Sequence, residues 1–185
     1  RPGRIARAVA VHRRVRRKPN SKMPVPVVDL FAGPGGLGEG FSKSRVCDFR
    51  LAVSIEKDPM AWQTLRLRAA HRELMRMVGP DNRTWSEWDG IIATTPWEET
   101  FARLRESSEA AIRDACRRAD IEAWHCELGS ASRDDVARGI RSRLKPHRKG
   151  NGTLPRNIVL IGGPPCQAYS IVGRSRNRGK SSYRP

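Results

Sequence analysis

Cys166 lies in the stretch IVLIGGPPCQAYS, Ile158 to Ser170. The apolar run from Ile158 to Gly162 has the character of a buried parallel strand. Pro164 and Pro165 then stop any helix and deliver the thiol in an extended loop just past the strand's carboxyl end, where open α/β sheets place their chemistry. A free cysteine is more often an inert core residue, and a core cysteine belongs inside the apolar run. This one follows Gly162-Gly163-Pro164-Pro165 and precedes the polar Gln167, a placement that points to a reactive thiol whose nucleophilicity depends on thiolate formation in the local field.

A second constellation lies nearer the amino terminus. The β-branched run VPVVDLF, Val25 to Phe31, leads into the glycine loop AGPGGLGEG and a short helix around Leu37 to Ser44. Strand, glycine loop and helix form the first half of a cofactor-binding βαβ unit. At Gly33, Gly35 and Gly36 the absent side chains let backbone amides approach a ligand. Glycines also serve plain tight turns, so the partner matters: Glu56 lies 21 residues beyond Gly35, at the end of a predicted strand Phe49 to Ile55. From there a carboxylate can accept hydrogen bonds from both ribose hydroxyls of an adenosine cofactor.

Around these sites the elements follow in order. Asp58-Pro59 opens a helix with aspartate as cap and proline at its first position, and Met60, Leu65, Leu67, Leu74 and Met77 supply its apolar component out to Val78. Gly79-Pro80-Asp81-Asn82 ends it. Thr95-Pro96-Trp97-Glu98 has the form of a capping box leading one long helix to about Ala119. Ala123 to Gly129 is a candidate short third strand with its exit loop, and Ser132 caps a helix running to Leu144. The five tryptophans are expected to be packing residues.

The 185 residues carry 36 Lys and Arg against 19 Asp and Glu, a net charge of +17. Such a chain attracts acidic partners, and nucleic acid is the natural one, because Lys and Arg gain affinity by releasing phosphate counterions. The basic residues cluster at Arg13 to Lys18, Arg141 to Lys149 and Gly173 to Lys180. Residues 1–22 form a basic tail or arm, and the ordered domain is expected over 23–185. Four cysteines without close paired spacing argue against a structural zinc site and fit a reducing compartment. The apolar runs fall far short of the roughly 18 residues a membrane helix needs, so no membrane partner is expected.

DLFAGPGGLGEGF (Asp29 to Phe41), SIEKD (Ser54 to Asp58) and GGPPCQAYS (Gly162 to Ser170) resemble, in order and wording, three motifs of the DNA cytosine-5 methyltransferases. The resemblance implies a Rossmann-like α/β fold with a mostly parallel sheet and helices on both faces, incomplete in this fragment, and S-adenosylmethionine as cofactor. Phe31 would then lie against the adenine and Gly33 and Gly35 would border the methionine portion. Glu56 would hold the ribose, with Ala32, Gly36, Lys57 and Pro164 completing the cofactor wall. Cys166 would be the nucleophile that adds to carbon 6 of a flipped-out cytosine and activates carbon 5. Gln167 and Ser170 would support the loop or touch the nucleic-acid backbone, and Arg174, Arg176 and Arg178 would lie near DNA phosphates. No metal is implied.

The chain departs from the family pattern in two ways. Cys166 lies 110 positions beyond Glu56, so a helical insert is expected at about 79–124. The acid that would contact the adenine amino group is placed at Glu127, followed by Leu128, with Asp134 as the alternative. The family's later motifs and recognition region do not occur in this chain, so it is expected to be the cofactor-side part of a catalytic domain and inactive alone. A bacterial restriction-modification or phage-defence role is implied, in the cytoplasm and on the nucleoid, with other subunits of such a system as further candidate partners. Transfer RNA as substrate and a non-catalytic DNA-binding protein of the same fold stay open as alternatives.

Overall fold

The computed structural model describes residues 24–148, 152–154 and 157–164. Val25–Leu30 forms β1, whose four central residues are buried. It ends one residue earlier than expected, because Phe31 turns into the left-handed region at φ 56°. Pro26 sits within this inner strand without harm: pairing with the strand on one side begins only at Val27, and a register shift between Val27 and Val28 interrupts pairing on the other. The glycine loop leads into α1, Gly36–Ser42, then β2, Phe49–Glu56.

Helix α2, Pro59–Val78, starts as expected, with the Asp58 carboxylate accepting the Ala61 amide at 2.8 Å and proline in the first turn. Its buried face differs from the expected one. Leu65, Ala69, Ala70 and Leu74 are the buried apolar residues, while Met60 and Met77 are exposed. Small residues at 69 and 70 let a later helix approach closely, and the methionines fall on the outer side.

Helix α3, Thr84–Thr94, lies inside the stretch expected to be a helical insert, at a point where the sequence alone marks no separate helix. The single long helix expected from Trp97 to Ala119 is two: α4, Trp97–Arg105, and α5, Ala110–Glu122. The break is built by Glu87 of α3, whose carboxylate accepts from the Ser107 hydroxyl (2.7 Å), the Ser108 amide (2.9 Å) and the Ser108 hydroxyl (2.7 Å). Nor does Thr95-Glu98 form a capping box; α4 has no side-chain cap, and Thr95 closes α3. Leu74, Trp88, Phe101, Leu104, Ile112 and Cys116 form the core of this helical layer. Of the other tryptophans, Trp62 and Trp85 are partly buried and hydrogen-bonded through Nε1, to the carbonyls of Ala123 and Gly79, whereas Trp97 is exposed.

Strand β3, Ala123–His125, is shorter than expected. Helix α6, Arg133–Leu144, begins at Ser132, whose hydroxyl accepts the Asp135 amide. A 3-10 turn, Lys145–His147, and β4, Val159–Gly162, complete the order. The four strands are parallel in the order β3-β2-β1-β4. Val28, Val53 and Ile55 pack with Leu144 and Ile140 of α6 on one face. On the other, α1 approaches so closely that a Cβ at Gly38 would lie 2.9 Å from Leu51. The chain is thus an α/β protein of Rossmann-like, methyltransferase-type architecture with helices on both faces. β4 departs from expectation: it is not a buried strand, and Leu160 is 65% exposed, because among the described residues it is paired on one side only. No helix of the described residues is long and apolar enough to cross a membrane.

Candidate functional site

From β1 the chain winds through α1 to β2 and on to β3 on one side, then returns to place β4 on the other. The carboxyl ends of β1 and β4 therefore flank the point where strand order reverses, the position at which open parallel sheets bind ligands. The register sets Leu30 beside Gly162, bringing the chain at Gly163-Pro164 next to the start of the glycine loop.

The loop itself is held from within. Ala32 is buried and its amide donates to the Ile55 carbonyl at 2.9 Å, while the Gly35 amide donates to Ala32. Gly33 and Gly35 have φ of 56° and 91°, conformations that cost a side-chain-bearing residue about 1 kcal/mol or more. A Cβ at Gly35 would also meet Leu65 at 2.9 Å, whereas one at Gly33 or Gly36 would meet nothing within 4 Å. Gly35 is therefore required by packing, and Gly33 and Gly36 border open space. Phe31 takes a left-handed conformation without being glycine and is itself 37% exposed. Strain of this kind, about 1–3 kcal/mol, gathers at ligand sites.

Glu56, half-buried at the end of β2, is the most fully fixed carboxylate of this edge. Its Oε2 accepts the Gly33 amide at 2.7 Å; its Oε1 accepts the amides of Lys57 at 2.8 Å and Asp58 at 2.7 Å. A carboxylate has about four acceptor positions. One therefore remains, on Oε2, so Glu56 can take one strong hydroxyl donor in this arrangement rather than the two expected from sequence.

Beyond β3 the ladder continues, with the Cys126 amide donating to the Glu56 carbonyl at 3.0 Å. Glu127 lies at this exit and pairs with Lys57 at 3.2 Å. The Ser130 hydroxyl and then Lys57 hold its carboxyl below the usual range. The side chain of Leu128 packs into the cluster around Val28 and Ile55, leaving only its backbone for a ligand. Asp134 is exposed in the first turn of α6.

Beneath the loop sits a polar group with no obvious sequence signal. Asp29 is fully buried, neither of its oxygens has a hydrogen-bond partner among the described residues, and Ser54 Oγ beside it is likewise unsatisfied. Burial pushes the Asp29 carboxyl up to about 6, with the Gly38 amide and the Arg72 guanidinium pulling against it and Glu56 adding to it. Arg72 donates to Glu39 of α1 and Glu122 of α5. The Glu122 carboxyl is also raised, to about 7, chiefly by burial.

The structure brings together Phe31, Ala32, Gly33, Gly35, Gly36, Glu56, Lys57 and Glu127, and sets Pro164 two residues past the end of the neighbouring strand β4. Cys166, Gln167, Ser170, Arg174, Arg176, Arg178 and the 1–22 tail lie outside the described residues. Of the remaining thiols, Cys116 is buried in the helical core and pushed up to about 12, first by burial and then by Asp120. That is the environment of an inert cysteine. The ring pair Trp62 and His125 also stands at this edge, and sequence reasoning missed it as part of the site.

No protein-family model and no solved structure matches the chain. It is 30% identical to the type II methyltransferase M.Bpa9945I of Bacillus paralicheniformis in an alignment 169 residues long that covers 84% of this chain and 34% of that protein. It is 25% identical over 148 residues, 80% of its length, to DNA (cytosine-5)-methyltransferase 3 of Arabidopsis thaliana, covering 9% of it. The chain thus spans about a third or less of the curated relatives it matches. Both relatives are methyltransferases by name, and the chain belongs to the DNA cytosine-5 methyltransferase family.

Proposed function

We propose that the whole protein transfers a methyl group from S-adenosylmethionine to carbon 5 of cytosine in DNA, with Cys166 as covalent nucleophile. The observation that carries this reading is the Glu56 carboxylate, fixed by three amides beside the glycine loop with one acceptor position left over. That free acceptor and the open space at Gly33 and Gly36 suit an adenosine with a free ribose hydroxyl. When bound, the cofactor supplies an electrophilic methyl group on a sulfonium.

The residues divide the work. Glu56 orients the ribose, Phe31 lies against the adenine, and Glu127, once released from Lys57, accepts from the adenine amino group. Gly33, Gly35 and Gly36 let the methionine portion approach the backbone. Cys166, as thiolate, adds to carbon 6 of a cytosine flipped out of the duplex. This makes carbon 5 electron-rich enough to take the methyl group; loss of the carbon-5 proton then expels the thiolate and restores the ring. Gln167 and Ser170 support that loop, and Arg174, Arg176, Arg178 and the 1–22 tail neutralise phosphates. A restriction-modification or phage-defence role belongs to the same proposal.

The test is incubation of the whole protein with cytosine-containing duplex and labelled S-adenosylmethionine, followed by base analysis. Label in 5-methylcytosine is expected. Label in another base, or none despite measured binding of cofactor and DNA, would overturn the reading.

A further inference from the structure

The Lys57 carbonyl and the Asp58 amide are two ends of one planar peptide unit. The amide end donates to Glu56 Oε1 at 2.7 Å. The carbonyl end meets Nε2 of His125 at 2.8 Å; a carbonyl only accepts, so Nε2 carries the hydrogen. His125 thus sets the plane of a peptide that holds the Glu56 carboxylate, from the neighbouring strand and without touching the carboxylate itself.

The His125 ring is supported in turn. It stacks on Trp62 of α2, with centroids 4.9 Å apart and planes 24° from parallel, and Trp62 Nε1 donates to the Ala123 carbonyl at 3.1 Å. One helical turn on, the Arg66 guanidinium lies 4.4 Å from the Trp62 ring centroid and 3.8 Å from that of Phe101 in α4. A guanidinium between two aromatic faces is attracted by both. It is also locked: Nε and Nη2 of Arg66 donate to Oδ1 of Asp120 at 3.0 and 2.7 Å, and Arg105 of α4 pairs with the same carboxylate at 3.4 Å. Phe101, Arg66, Trp62 and His125 form an unbroken column from the helical insert to the turn after β2.

We infer that the insert is a working part of the cofactor site: Phe101 is a positioning residue that fixes the Glu56 carboxylate through Arg66, Trp62 and His125. The inference rests on the functional reading above. It gives the helices between α2 and β3 a role at the sheet's ligand edge. The column replaces direct contact with a stack of flat groups, and such stacks transmit position because each ring has little freedom to tilt once its neighbours are packed. Phe101 is only 7% exposed and His125 is exposed, so one end of the column is buried and the other faces the ligand edge.

The test is calorimetry of S-adenosylhomocysteine, and of its analogue lacking both ribose hydroxyls, on the whole protein with Phe101→Leu, with His125→Ala and with both. Each single change is expected to weaken S-adenosylhomocysteine about three- to tenfold, the size of coupling that packed networks carry. The double variant should be no weaker than the weaker single, since breaking the column once breaks it entirely. The analogue should bind all forms alike, a result that a general loss of packing would not give. The exposed His125 keeps the test decisive even where Phe101→Leu lowers folding yield. Unchanged affinity in His125→Ala, or losses that multiply in the double variant, would overturn the inference while the functional reading stands. No binding by the unmodified protein would overturn both.

Discussion

Gly33 donates its amide to Oε2 of Glu56 at 2.7 Å, tying the loop after β1 to the carboxylate at the end of β2. Replacing the acid therefore disturbs both halves of the site. Glu56→Ala should weaken S-adenosylhomocysteine by on the order of 1.5–3 kcal/mol, as for hydrogen bonds to a charged group. Glu56→Gln should do no better despite its shape, because its NH2 must face an amide donor on one side or the other. Calorimetry of the two variants checks this, and near-normal affinity in Glu56→Gln would count against the carboxylate's role.

Phe31 carries backbone strain at φ 56° and is itself 37% exposed. Phe31→Gly removes the strain and the ring together. Stability to urea is expected to stay level or rise by up to about 1 kcal/mol, glycine's larger unfolded-state entropy offsetting part of the relief. Cofactor affinity should fall in the same variant. A variant that loses stability while keeping affinity would assign Phe31 to packing instead.

The buried Asp29 gives a pH signature. Its carboxyl is raised from 3.8 to about 6 in the folded protein, so the folded state holds the proton more tightly than the unfolded chain. Asp29 thus favours folding below about pH 4, and that contribution is lost as pH rises towards 6, about 2–3 kcal/mol in all. Asp29→Asn removes this titration. The stability difference between Asp29→Asn and the unmodified protein should therefore shift in favour of the variant by that amount between pH 4 and pH 7, measured by urea unfolding. A difference that does not change with pH would mean Asp29 is not titrating there.

Nine of the 36 Lys and Arg lie in residues 1–22. Each phosphate they neutralise adds about 0.9 to the slope of log affinity against log salt on duplex DNA. Deleting the segment should flatten the slope without altering sequence preference, because phosphate contacts position while base contacts specify. Filter binding over a salt series measures it, and an unchanged slope would leave the segment without a phosphate role.

The parts of the fold legible in the sequence are those with local causes. The β-branched run of β1, the glycine loop, the Asp58-Pro59 start of α2 and the Ser132 cap of α6 all rest on residues within a few positions of one another. So does the placement of Glu56, whose spacing from the loop follows from one strand-helix-strand unit. The break at Ser107-Ser108 rests instead on Glu87, twenty positions away, and without it Trp97 to Ala119 has an ordinary helical pattern. The exposure of Leu160 was hidden for another reason. An apolar run tells that a strand can be buried, not which neighbours cover it. The place of His125 at the site was not legible because its value lies in a peptide plane 68 positions earlier. Asp29 was visible as part of a motif, but its unsatisfied burial belongs to the packing of α1 on the sheet.

The central claim is cytosine-5 methyl transfer through Cys166, and DNA carrying 5-fluorocytosine at the target site tests it most directly. Fluorine at carbon 5 cannot leave as a proton does, so a thiol that has attacked carbon 6 stays attached after methyl transfer. With S-adenosylmethionine present, the whole protein should form an adduct that survives denaturing electrophoresis, and peptide mapping should place it on Cys166; Cys166→Ser should form none. A protein that binds both cofactor and target DNA yet forms no adduct, or an adduct retained in Cys166→Ser, would contradict the claim.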